Sequence, residues 1–140
     1  MKTIRAGVLG ALLLSCIFSG CDLFQLADAI GMCEDRISFG AVSPDERYIA
    51  TAYHRDCGAT TDTTTYVNIR SATAKFVGQG KDVVLAIEWL VPVGLFWTDD
   101  VHLSVQAIGC PSSKVYRQEM VWHDISISYE SFGQIITESR

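Results

Sequence analysis

The sequence has no C-x-x-C pair, no H-x-x-x-H pair, no internal repeat and no low-complexity tract, and its 140 residues hold only 3 histidines and 3 prolines. The missing pairs remove the strong zinc signatures, so no metal and no cofactor is expected. Without repeats a closed propeller is excluded, since that fold takes about four to eight blades. Basic residues are scarce, 11 against 16 acidic ones, and two of them, Lys2 and Arg5, lie in the first few positions. Residues 21–140 carry 9 basic against 16 acidic side chains, a net charge of −7. Such a chain does not suit nucleic acid, which rewards a basic face.

What is present begins with a cationic start and an uncharged stretch over residues 6–20 that ends in Ser19-Gly20. As a membrane span it is short: about 15 residues rising ~1.5 Å each reach roughly 22 Å, against a hydrocarbon core of about 30 Å. The pattern is that of a secretory signal peptide with a small-residue cleavage site. Because Cys21 follows at once, Phe18-Ser19-Gly20-Cys21 resembles a bacterial lipoprotein signal, with Phe18 where an aliphatic residue is usual. The resemblance implies removal of residues 1–20 and acylation of Cys21 by a thioether-linked diacylglycerol, whose two chains would anchor the protein to a membrane stably. Leu13-Leu14-Ser15-Cys16 offers a rival site, but the longer apolar region and the Ser-Gly pair favour Cys21. Asp22 resembles a signal for inner-membrane retention. The expected location is therefore a lipid-anchored position facing the periplasm or exterior.

Residues 21–35 are read as the lipidated N-terminus and a short amphipathic helix, with Leu23, Phe24, Leu26, Ala27 and Ile30 on one face, Asp22 at its start and Gly31 at its end. Residues 36–140 are read as a single β-rich domain, long enough for one modest core. Residues 48–55 alternate Tyr48, Ala50, Ala52, His54 against Ile49, Thr51, Tyr53, Arg55, and residues 66–70 alternate likewise. A turn at Ser43-Pro44-Asp45 precedes the first of these strands. Further strands are expected over 82–90, 101–107, 115–120 and 125–129, with His123-Asp124 in a hairpin turn. The fold class is mainly β, a small antiparallel meander or sandwich with the helix at one edge.

Export makes a disulfide the default for the cysteines left after Cys21. Cys33, Cys57 and Cys110 are an odd number, so one thiol remains over. Cys57 and Cys110 both sit in turn-like contexts, "DCGAT" and "IGCPSS", where a staple between loops is easy. Cys33 with Cys57 is the competing pairing.

The stretch "SPDERYIATAYHRDCGATTDTTTYVNI", residues 43–69, resembles a group of uncharacterised bacterial exported proteins that share the Ser-Pro-Asp turn and the segment Arg55-Asp56-Cys57-Gly58-Ala59-Thr60-Thr61. The resemblance implies export but no activity. The turn also resembles the start of a propeller blade, which supports no more than a blade-like sheet.

Within that segment two readings compete. Cys57 could be a nucleophile with His54 as its base, Arg55 favouring the thiolate and the Gly58 amide as an oxyanion donor. Alternatively Gly58 supplies a positive φ, the Thr and Asp side chains of residues 60–65 bond the loop backbone, and Cys57 staples it. The second needs no special arrangement. A metal set built from His54, Asp56, His102 or His123 has no supporting spacing. "WLVPVGLFW", residues 89–97, carries no charge and reads as a hairpin around Pro92-Val93-Gly94. If its tip is exposed, Trp89, Leu95, Phe96 and Trp97 form a partner-binding patch for a protein or a membrane.

The expected function is a non-catalytic binding or structural role in the bacterial cell envelope, with the membrane as one partner through Cys21 and an envelope protein as another. An inhibitor or immunity protein acting through the acidic surface and the 89–97 hairpin is one alternative; a thiol enzyme using Cys57 and His54 is the other.

Overall fold

A computed structural model describes residues 33–130. The helix expected over 22–31 and the acylation site Cys21 lie outside the described residues. Nine strands follow in order: β1 (Glu34–Val42), β2 (Tyr48–Asp56), β3 (Thr64–Ser71), β4 (Val83–Ile87), β5 (Val93–Asp99), β6 (His102–Ala107), β7 (Val115–Gln118), β8 (Val121–Trp122) and β9 (Ile125–Glu130). A 3-10 turn, Ser112–Lys114, precedes β7. The first strand begins at Glu34, two residues ahead of the expected start of the β-rich domain.

Two sheets result, ordered β1-β2-β3-β4-β7 and β5-β6-β9-β8. The first is antiparallel throughout, because each strand returns beside its predecessor until the chain leaves at β4. The second holds a parallel pair, β6 with β9, since β7 is taken by the other sheet and β8 intervenes as a two-residue edge. The architecture is thus a two-sheet sandwich with one parallel pair, not a simple meander or a single blade-like sheet. Between β8 and β9 the turn is His123-Asp124, with Trp122 opposite Ile125 and His123 at φ 52°. A positive φ at the first central position matches the twist of paired strands.

The core lies between the sheets. Ala50, Ala52, Val67, Ile69, Leu85 and Ile87 come from the first, and Leu95, Leu103, Val105, Ala107, Ile125 and Ile127 from the second. Register makes this possible: Ala52 opposes Val67 and Val67 opposes Leu85, so one face of three strands points inward together. The opposite face of the first sheet is covered too. Residues 72–81, joining β3 to β4, fold over it so that Tyr53 stacks on Tyr66 with ring centroids 5.3 Å apart and meets Phe76 edge-on at 5.0 Å. Under the same loop Arg55, 8% exposed, reaches the Asp35 carboxylate at 3.3 Å.

β1 is an edge strand with no buried residue in its nine. It is held instead at both ends. At its start Cys33 is disulfide-bonded to Cys57, with Cα atoms 4.0 Å apart; at its close the Trp97 indole Nε1–H donates to the Ala41 carbonyl at 3.1 Å, joining the two sheets. The disulfide corrects the expected Cys57–Cys110 pairing in favour of the competing one. Glu34 opposes Asp56, so one further step along the same register sets Cys33 opposite Cys57. Cys110 is a free thiol in the core.

The turn before β2 is built as its residues predict. Ser43 Oγ donates to Asp45 Oδ1 at 2.7 Å and accepts the Tyr48 N–H at 3.0 Å. That bond and the Arg47 guanidinium pull the Asp45 carboxyl down to about 2.

Candidate functional site

Strand direction gathers one set of loops at one end. Glu34 pairs with Asp56, Thr65 with Ile87, Ile87 with Val115 and Val93 with Ala107. The start of β1, the loops 57–63, 88–92 and 108–114, and the close of β9 therefore share the end at which the chain enters the domain. The turns 43–47, 100–101 and 123–124 occupy the far end; the 72–82 connection leaves β3 and enters β4 there but folds back over the first sheet as far as Asp35.

At the entry end an open groove of about 370 Å³ is lined by Asp62, Thr63, Glu88, Trp89, Leu90 and Lys114. Lys114 Nζ is 3.5 Å from Glu88 Oε2 and 6.0 Å from the centre of the Trp89 ring, so the cation lies against both an acid and an indole. Trp89 is 52% exposed and Leu90 58%. The groove sets the apolar Trp89 and Leu90 beside charges of both signs, Asp62, Glu88 and Lys114, a mixture that suits recognition by contact.

The residue that holds the groove's wall is Thr65, which is fully buried. Its hydroxyl donates to the Trp89 carbonyl at 2.6 Å and accepts the Val91 N–H at 3.0 Å, clamping the chain on either side of Leu90. His54 Nδ1 is 3.2 Å from the same oxygen. Because the single hydroxyl proton goes to Trp89, His54 must donate from Nδ1, which fixes its tautomer. Thr65→Val keeps the shape and removes the clamp, leaving two backbone groups without their partner. It is expected to lower stability by about 2 kcal/mol in urea unfolding and to shift Trp89 emission to the red. One threonine among the five of residues 60–65 carries no sign of this role; only the position opposite Ile87 reveals it.

His54 is thus occupied in holding a loop. Burial pushes its pKa down from 6.5. A base whose folded pKa is lowered gives stability that is present above 6.5 and declines as pH falls through that value, because the unfolded chain protonates first. His54→Gln should flatten the stability profile between pH 7 and the acid side, measured against the parent chain to cancel His102 and His123.

Cys57, in its disulfide, presents no thiol to His54. The octet around it forms a stapled turn: Asp56 Oδ1 accepts the Gly58 N–H at 2.9 Å, Gly58 adopts φ 102°, and the Thr61 N–H and hydroxyl both donate to the Gly58 carbonyl at 3.2 Å. Among the described residues no group of three or more His, Cys, Asp or Glu side chains could hold a metal ion, and no helix is long and apolar enough to cross a membrane.

The four residues expected to share a hairpin tip are dispersed. Residues 88–92 carry the chain from one sheet to the other, so no 89–97 hairpin forms. Leu95, 2% exposed, is core. Trp97 is half-buried, stacked on Tyr48 at 6.5 Å and bonded to Ala41, a structural position. Phe96 is 52% exposed on the outer face of the second sheet, its ring over Gly94, where a Cβ would come within 2.9 Å of the ring. Only Trp89 stands at the groove. Ile108, 58% exposed, lies at the same end: it follows Ala107, which opposes Val93, the first residue after the 88–92 loop. Comparison with protein-family models, with curated proteins and with solved structures finds no match to this chain.

Proposed function

We infer that the chain is a lipid-anchored component of the bacterial cell envelope, held to a membrane by acyl chains on Cys21, that acts by binding and not by catalysis. The Cys33–Cys57 disulfide carries this reading. Bridges of this kind persist in exported proteins and are rare where thiols are kept reduced, which agrees with the signal-like residues 1–20. The same bond takes Cys57 out of nucleophilic chemistry, since the thiolate is the attacking species. An inhibitor role retains its acidic surface but not its hairpin, and no observation favours it over a general binding role.

The test is an intact-mass measurement and a non-reducing peptide map of the chain purified from its own membrane. A mature start at an acylated Cys21 and a peptide linking Cys33 to Cys57 are expected. An unmodified Cys21 would remove the anchor, and an alkylatable Cys57 would return the thiol-enzyme reading to first place.

A further inference from the structure

We propose that the entry end of the sandwich, with Trp89, Leu90 and Ile108, is a membrane-docking face that rests on the lipid surface holding Cys21. This rests on the lipid anchor inferred above. Eleven residues lie between Cys21 and Cys33, a tether of at most ~40 Å when fully extended. It joins the domain at Cys33, which is fixed to Cys57 at the entry end, so the tether brings that end to the bilayer first. The far end lies about 30 Å beyond, the length of the nine-residue strands, and can meet lipid only if the tether runs back along the domain. Trp89 follows β4, three strand positions from β1, or about 14 Å across the sheet from the point of entry.

The side chains at this end suit that surface. Trp89, Leu90 and Ile108 are 52%, 58% and 58% exposed. Indoles favour the head-group level, with an apolar body and a single N–H donor, while Leu and Ile favour the hydrocarbon beneath. Leu90 is not on a loose tip, because the Thr65 hydroxyl grips the backbone on both sides of it. Asp56, at the close of β2, and Asp62, on the neighbouring loop, are exposed and are repelled by anionic head groups. Contact is therefore apolar and shallow and does not require acidic lipid.

The experiment reconstitutes the full acylated chain in phosphatidylcholine vesicles, with and without bromine-labelled acyl chains, and records tryptophan emission. The Trp89 signal is the difference between the parent chain and Trp89→Phe. Brominated lipid should remove most of that difference and leave the emission of Trp97 and Trp122 unchanged. The pair Leu90→Asp and Ile108→Asp should abolish the quenching while the chain still sediments with vesicles. If Trp89 is unquenched by lipid but open to aqueous iodide, the face is turned to solvent and the proposal fails. Shielding from both quenchers also overturns it, because residues 22–31 or a second copy then cover the patch. A chain that lacks acylation and does not sediment fails at the anchor itself; one that sediments without Trp89 quenching refutes the docking face alone.

Discussion

Cys57→Ser and Cys33→Ser are each expected to lower the stability of the domain by about 3 kcal/mol, the amount associated with opening a loop of this size. Reduction of the parent chain should reproduce the loss, and the double substitution should cost no more than either single one, since the two cysteines act as a unit. The effect should centre on β1. That strand buries none of its nine residues, so apolar burial contributes little to holding it, and it depends on its ladder with β2 and its two end fastenings. Backbone amides near Asp35 should gain hydrogen exchange when the disulfide is opened, while those near Ala41, held by Trp97, change less. Urea midpoints and exchange rates check this together. A bridge-free chain with unchanged midpoint would show that β1 is fixed by other contacts. Cys110→Ala supplies the contrast: it opens no bridge, so reduction should still destabilise it.

The strands that read clearly from sequence are those whose two faces differ. β2, β3, β6 and β9 alternate, and their inward residues make up most of the core. β1 does not read as a strand from sequence although Ile37, Phe39 and Ala41 lie two apart. A bulge between Ile37 and Phe39 shifts the register, so the three do not share one buried face, and Ile37 and Phe39 remain exposed. Without β1 the position of Cys33 opposite Cys57 could not be read, and local turn context pointed toward Cys110 instead. The apolar run from Val83 to Trp97 misled in a different way. Composition records that both β4 and β5 are largely apolar but not that the chain changes sheets at 88–92. Gly94, read as a turn residue, lies within β5 and makes room for the Phe96 ring. The groove was legible only as Trp89, because Asp62, Glu88 and Lys114 come from three separate loops that strand direction alone brings together.

Tyr53→Ala is expected to cost about 3–5 kcal/mol, as large as a substitution in the central core. Alternation in β2 placed Tyr53 opposite the Ala50 and Ala52 face, where solvent would be the usual neighbour. It is instead fully buried, because residues 72–81 lie over it. Its ring packs between Tyr66 and Phe76, and its hydroxyl donates to the Gly78 carbonyl. Gly78 can sit this close only without a side chain, as a Cβ there would fall 1.8 Å from Asp35 Oδ2. Tyr53→Phe separates the ring from the hydroxyl. The Gly78 carbonyl still has Arg55 Nη1 at 3.4 Å, so this milder change should cost about 1 kcal/mol. Equilibrium unfolding gives the two values, and hydrogen exchange at residues 76–80 shows whether the loop detaches in Tyr53→Ala before the sandwich unfolds. A cost near that of Tyr53→Phe for both variants would mean that the ring contributes little and that the loop is held by Arg55 and Asn68, whose amide reaches the Val77 carbonyl at 3.4 Å. The larger cost would identify a second apolar layer, built from Tyr53, Tyr66 and Phe76, that fixes the outer face of the five-stranded sheet independently of the core between the sheets.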